Sequence, residues 1–416
     1  MIMNWLFPAA LALTGAMGAV MALWGLWYLA GGALCWKKAE DYGWHPARTK
    51  FAVLIAARNE ELVIGPLINS LLTQNYPPEL YDIWVIPNNC TDNTALAARS
   101  FGAKVLEFPG QAHSKGEVLQ FAYHRLRGRR YDAYCVFDAD NLVHKDFLME
   151  MNHAYMAGAR AAQGYRDSKN PYDTAISGCY SIYYWMMNRF HNAGRSALKG
   201  SAMIGGTGFM VSQRLLDELG DWQAHTISED LELTAQTILA GERVRWVPKA
   251  ITYDEQPNSW EQSFKQRRRW TSGTIQVARA YFPAVARSMG REPRLTLADL
   301  GATLLIPAYQ ISALASLAVG ALAAAMSSLT VQGAILAALA AAAANLGSAA
   351  LTATALAAIV VTLEGKWDRR VLPALGVYWL FLLTWIPITA LSFAKNTTVW
   401  EEIRHTRNVA PEAMVR

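Results

Sequence analysis

Phe51-Ala52-Val53-Leu54-Ile55-Ala56-Ala57-Arg58-Asn59-Glu60 opens the part of the chain that decides the fold. Seven apolar residues ending in a polar triplet predict a buried strand, Phe51–Ala57. Glu60–Gln74 then has helical spacing, with Leu62, Ile64, Leu67, Ile68 and Leu71 on one face. Pro77 and Pro78 interrupt it. The alternation continues with a strand at Asp82–Pro87, a helix at Thr91–Phe101 and a strand at Lys104–Phe108. A helix at Ser114–Leu126 and a fourth strand at Tyr131–Phe137 complete it. Strands alternating with helices predict an α/β domain with a mainly parallel sheet. Ligands on such sheets bind beyond the carboxyl ends of the strands.

On either side of this core the composition changes. The 416 residues are 53% hydrophobic and only 17% charged, against about 25% charged in ordinary soluble domains. The excess lies in residues 9–36, 301–326, 331–361 and 371–393, each long enough to cross a bilayer at roughly 20 residues per crossing. The first stretch lacks a basic leader and exceeds a secretory signal's apolar core. Lys37, Lys38, Arg48 and Lys50 follow it, which places the domain in the cytoplasm by the positive-inside rule. The resulting division is a membrane helix over 1–44, a catalytic domain over 45–257 and amphipathic interface helices over 258–298. About three membrane helices over 299–395 and a tail over 396–416 complete it. Past residue 151 longer, mixed helices are expected. The four cysteines, Cys35, Cys90, Cys135 and Cys179, show no ligand or disulfide spacing, and a net charge of +5 without a basic stripe points to anionic lipid rather than nucleic acid.

Three motifs carry chemistry. Asp138-Ala139-Asp140 ends the fourth strand, and two hard carboxylates at that spacing suit Mg²⁺ or Mn²⁺ shared with a diphosphate. Such a pair on its own is common in solvated turns; the strand before it distinguishes this one. Thr226-Ile227-Ser228-Glu229-Asp230 precedes a helix beginning at Leu231. Acids there stabilise a helix start, and Asp230 can also remove a proton from a hydroxyl. Gln266-Arg267-Arg268-Arg269-Trp270 offers an arginine fork for a diphosphate and an indole face for a sugar, within a segment that also suits a membrane surface. Tyr253–Pro257 is expected to be a loop with solvated acids. His113, His191 and His225 lack ligand spacing.

D-x-D, E-D and Q-x-x-R-W in this order resemble the membrane branch of the family 2 glycosyltransferases, which includes cellulose, hyaluronan and chitin-oligosaccharide synthases. The likeness covers about residues 50–275 and implies a GT-A fold. By that resemblance Ala56, Arg58 and Glu60 form the first nucleotide-binding loop. Asn88 stands where the family usually has an Asp for the uracil, and Lys115-Gly116 approaches the base or phosphates. Asp138 and Asp140 are the metal pair, Asp140 the more direct ligand, and Asp138 also faces the donor. Glu229 and Asp230 form the catalytic pair, with Asp230 the base. Gln266, Arg269 and Trp270 close over the diphosphate and acceptor sugar, and Gly206, Thr207 and Gly208 lie in the acceptor-side loop.

The resemblance implies a multi-pass protein of the bacterial inner membrane that uses a UDP-sugar. With one base and no carboxylate placed as a nucleophile, the resemblance also implies a single displacement with inversion. The first choice of acceptor is a growing β-linked polysaccharide or oligosaccharide. The alternative is a lipid, and a catalytically silent scaffold or transporter comes last, because all three acids are present. With about four helices, export would need a narrow pore, a homodimer or a partner. Pro373 and Pro387 leave two topologies for the last apolar segment: a crossing, or a re-entrant segment with a cytoplasmic tail.

Overall fold

The computed structural model describes residues 2–37, 39–326, 330–395 and 397. Lys38 and the end of the tail lie outside the described residues. Among the described residues there are eight strands: β1 Phe51–Ala57, β2 Tyr81–Pro87, β3 Lys104–Val105, β4 Ala133–Asp138, β5 Leu142–Val143, β6 Ala161–Ser168, β7 Phe209–Ser212 and β8 Val244–Asp254. They form one sheet in the order β3-β2-β1-β4-β7-β6-β8-β5. All seven residues of β1 are buried between parallel neighbours β2 and β4, as an apolar central strand requires. Their register sets Ala56 level with Asp138 and Ala57 level with Pro87, which lines up the polar residues at the carboxyl edge.

Around the sheet lie α1 Ile2–Gly32, α2 Ile64–Leu72, α3 Thr94–Ser100, α4 Lys115–Leu126, α5 Phe147–Met156, α6 Ala175–Met186, α7 Gly194–Ala197, α8 Gln213–Leu219 and α9 Glu229–Leu239. A turn of π-helix, Met187–Ala193, joins α6 to α7. The C-terminal part comprises α10 Trp260–Arg291, α11 Leu295–Leu304, α12 Ile306–Met326, α13 Val331–Leu363, α14 Leu372–Leu383 and α15 Trp385–Ala394. Among the described residues four segments are long and apolar enough to cross a membrane: 12–32, 306–326, 331–363 and 369–394.

The expected alternation is present with trimmed ends. Helix α2 starts at Ile64 rather than Glu60, α3 at Thr94 rather than Thr91, and α9 at Glu229 rather than Leu231; β3 holds only two residues. The larger correction lies beyond residue 151, where three strands occur among the helices. Strand β6 carries four polar residues in eight, and β8 contains Pro248, which its bulge absorbs: the register with β6 jumps from Gly164–Val247 to Tyr165–Ile251. Strand β7 runs antiparallel to both β4 and β6, so the half of the sheet past β4 is mixed.

Candidate active site

At the carboxyl edge of the sheet lies a cavity of about 560 Å³. Its walls include Ala56 near the end of β1, Arg58 and Glu60 after it, Lys115 on α4, Asp138 at the end of β4 and Asp140 after it. Gly206, Glu229 and Asp230, and Gln266, Arg269 and Trp270 on α10, also line the cavity, all of them expected from sequence. Three expected residues stand off the wall. Asn88 is buried behind Ala57, its Nδ2 donating to the Ala57 carbonyl at 3.0 Å and its Oδ1 without a protein partner. Thr207 is buried under the D-x-D turn, where its Oγ1 accepts from Asp138 N at 3.1 Å and donates to Asn141. Gly208, at φ +61°, is a backbone requirement: a Cβ there would sit 2.7 Å from Thr252 Oγ1.

The ion pairs follow from which element ends meet. Ser114 caps α4, its Oγ accepting from Glu117 N at 3.2 Å, and delivers Lys115 as the first helical residue. The Lys115 ammonium pairs with Asp138, donates to the Gly206 carbonyl at 2.7 Å and lies 4.0 Å from Glu229 Oε1. Asp138 is 42% exposed at its side chain, into the cavity. Burial pushes the Asp138 pKa up, but Lys115 outweighs it and holds the carboxyl below its usual range. Burial would lower Lys115, yet Asp138 and Glu229 together hold it above the ordinary lysine value. Burial, then the neighbouring Asp230, push Glu229 up to about 7, and burial raises Asp230 as well.

Close helix approaches hold this arrangement. A Cβ on Gly116 would stand 2.2 Å from Ala224 Cβ and 3.2 Å from Glu229 Cβ, so α4 meets the E-D loop only through glycine. A Cβ on Gly273 of α10 would fall 1.9 Å from Ser228 Oγ, the cap position of α9. Gly273→Val is therefore expected to cost about 1–3 kcal/mol of stability by overpacking and to shift Glu229 and Asp230. Thermal unfolding and transfer rate should fall together; a variant with both unchanged would contradict this packing.

Sequence reasoning missed several residues. Asp254 is not a solvated loop acid. It ends β8, is 4% exposed, and accepts from Arg166 Nε at 2.7 Å and Asn141 Nδ2 at 3.1 Å. Burial lifts it to about 6 despite Arg166, with Asp140 adding to the rise. Arg166 lies over the Tyr184 ring at 4.2 Å and also donates to the Gly205 carbonyl. Buried Glu232 accepts from His225 N at 2.9 Å and Thr226 N at 2.8 Å, which fixes the loop ahead of α9. The π-turn brings Asn188 and Asn192 to the cavity; a single such turn inside a helix often marks a functional site. His191 is buried while His113 and His225 are exposed.

Asp140 accepts from Glu255 N at 3.0 Å through Oδ2 and from Asn141 Nδ2 at 3.4 Å through Oδ1, so both oxygens keep lone pairs. Seven acids and four lysines or arginines line the cavity. A diphosphate entering so acidic a site requires added positive charge, and hard oxygen donors fit Mg²⁺ or Mn²⁺. Among the described residues no three His, Cys, Asp or Glu group closely enough to hold a metal alone. Asp138 and Asp140 thus fit an ion completed by the ligand's phosphates and water.

A profile of the glycosyltransferase-like family 2 matches residues 46–273, more than half the chain and all of the sheet. The chain belongs to that family. This family 2 glycosyltransferase is 28% identical over 241 residues to a probable glycosyltransferase, YdaM, of Bacillus subtilis, covering 55% of this chain and 56% of that one. It is 28% identical over 252 residues to a beta-monoglucosyldiacylglycerol synthase of Nostoc sp., covering 57% and 51%. The chain spans about half the length of these curated relatives. Its fold matches a mannosyltransferase from Pyrobaculum calidifontis solved in complex with GDP-Man and Mn²⁺, at TM-score 0.61 and 17% identity over 94% of this chain and 99% of that one. The likeness shows the GT-A fold expected from the motifs.

The cavity does not end at the sheet. Thr303 of α11, Ile306, Pro307 and Gln310 of α12, Leu382 of α14 and Trp385 of α15 form its far wall. Trp270 stands nearly parallel to Tyr183 and Trp385, with ring centroids 6.3 and 6.4 Å apart. Gln266 Oε1, Arg269 Nε and Trp385 Nε1 are buried on these walls without protein partners, and buried polar atoms of that kind call for a ligand or water.

Proposed function

We propose that this protein is an inverting hexosyltransferase of the cytoplasmic membrane. It moves a sugar from a UDP-sugar to the hydroxyl of a lipid-anchored acceptor. The observation that carries this reading is that one cavity is lined by Asp138, Asp140 and Asp230 and also by the apolar helices α12 and α15. Ala56, Arg58 and Glu60 bind the nucleotide end, while Lys115 and Arg269 face the diphosphate. Asn88, buried behind Ala57, supports the loop after β1 from beneath rather than touching the base. A divalent ion at Asp138 and Asp140 stabilises charge on the departing diphosphate. Asp230 takes the proton from the attacking hydroxyl; Gly206, whose Cβ would lie 3.3 Å from Asp230 Oδ2, leaves room for that hydroxyl. The similarity to a beta-monoglucosyldiacylglycerol synthase supports a lipid acceptor.

The aromatic row Tyr183–Trp270–Trp385 favours a second reading, chain extension of a β-linked glycan, because such surfaces suit sugar rings. One assay separates the two. Purified protein in lipid is offered a panel of nucleotide sugars with Mg²⁺ or Mn²⁺, and products are sized by mass spectrometry. UDP release with one sugar on lipid is the expected result, and a ladder of sugars establishes chain extension. No turnover with any donor, with lipid and sugar primers present, contradicts both.

A further inference from the structure

Arg267 is the one buried arginine in Gln266–Trp270, 1% exposed, and it points away from the cavity. Its Nη1 donates to the Phe381 carbonyl and to Thr384 Oγ1, both at 2.8 Å, and its guanidinium lies over the Phe381 ring at 4.4 Å and the Trp385 ring at 5.5 Å. This is the point where the last apolar segment breaks. Pro387 has no N–H for the turn beginning at Leu383, and Thr384 separates α14 from α15. A buried guanidinium is costly unless well paired, so its placement at this break fixes α10 to the segment.

The same segment is tied along its length to the catalytic domain and to α10, which packs on that domain where Gly273 meets Ser228. Just before it, Lys366 Nζ pairs with Asp167 Oδ2 of β6 at 2.7 Å, and Arg189 pairs with Glu364. Within α14, Tyr378 OH donates to Met186 Sδ at 3.2 Å, and Gly178 of α6 meets Ala374 so closely that a Cβ would stand 2.5 Å from its Cβ. At the far end Arg268 Nη2 donates to the Lys395 carbonyl at 3.3 Å, and Gln276 Nε2 donates to the Thr397 carbonyl at 2.9 Å. A helix crossing the bilayer cannot hold both ends and its middle against one domain. Lys366, Arg369 and Arg370 at its start fit the side that carries the catalytic domain, whereas the described ends of the α12–α13 connection, Met326 and Thr330, carry no charge.

We propose that α14 and α15 form a strap in the membrane interface, with both ends on the catalytic side, and that Arg267 is the positioning residue that latches it. The latch sets Leu382 and Trp385 as the acceptor wall of the cavity, a step that rests on the lipid-acceptor reading above. Three crossing segments then remain, α1, α12 and α13.

The latch is tested on the full chain in lipid nanodiscs by amide hydrogen exchange, with Arg267→Met and Arg267→Lys. Exchange over residues 378–394 is expected to rise at least about tenfold in Arg267→Met and to return toward wild type in Arg267→Lys. Exchange in β1 and β4 should stay fixed. Unchanged exchange over 378–394, or an equal rise in β1 and β4, overturns the latch. In sealed vesicles a protease-cleavable epitope after Arg416 should be cut from the same side as one inserted at the exposed Gly128; cutting from opposite sides overturns the strap. With 1,2-diacylglycerol in phosphatidylglycerol vesicles, Arg267→Met should raise the acceptor KM about tenfold and leave the donor KM within about twofold. Equal changes in both overturn the acceptor role. If wild type transfers to no lipid, the lipid-acceptor reading fails and the acceptor role with it, while exchange and topology still decide the latch and strap.

Discussion

Asp230→Asn is expected to lower transfer by about 10²–10⁴-fold, the share a general base usually supplies, while nucleotide binding is retained. The substitution keeps the shape. Asp230 Oδ1 accepts from Leu231 N at 2.8 Å, and an amide oxygen can accept the same bond. What it removes is a carboxylate able to take a proton. Burial raises the Asp230 pKa, so wild-type activity should fall with acid above the ordinary carboxylate range, and the variant should lack that limb. The stability effect has the opposite sign. An acid whose folded pKa is raised stabilises the fold below its unfolded pKa, and that contribution disappears as pH rises through the folded value, which burial sets above the ordinary range for Asp230. Replacing Asp230 by a neutral group should therefore leave thermal stability equal or higher at neutral and alkaline pH. A variant that keeps full activity would remove Asp230 as the base. One that loses activity only because it unfolds would leave the role without support.

The parallel half of the sheet was legible because its strands are continuous apolar runs: Phe51–Ala57 is buried at every position, as its composition demands. The later strands were not, since β6 mixes Gln163, Arg166 and Asp167 into its run and β8 absorbs Pro248 in a bulge. Legibility of the site followed the same division. Residues at the ends of apolar strands or at helix starts, such as Asp138, Lys115 and Asp230, could be placed by local signals. Asp254 and Arg166 could not, because their meaning comes from each other across 88 positions of sequence. Thr207 and Gly208 were legible as a glycine-rich loop, but not as the support beneath Asp138. The Q-x-x-R-W spacing told which residues share a helix face. Burial of Arg267 between Phe381 and Thr384 depends on a partner segment more than 100 residues away.

Asp140→Ala should abolish stimulation by Mg²⁺ or Mn²⁺ and lower transfer about 10³-fold, equivalent to ~4 kcal/mol of transition-state stabilisation. Charge makes this effect large. Lys115 and Arg166 already serve Asp138 and Asp254, so neither cation is free to neutralise a diphosphate fully. The wall nonetheless carries more acids than lysines and arginines. Without a divalent ion, the developing charge on the leaving diphosphate would face Asp138 and Asp254 across a poorly screened space. Asp140 is 5% exposed and tied to Glu255 N, so its carboxylate is held in place before any ion arrives. Its removal should take away a ligand without opening the loop, because Asn141 still joins Asp254 to the backbone of Asp138. Mn²⁺ binding in the presence of UDP, followed by paramagnetic resonance, gives a readout apart from turnover and should weaken in parallel. If metal affinity and metal dependence both match wild type, Asp140 is not a ligand, and the acid-rich wall must be neutralised by Lys115, Arg166 and Arg269 alone.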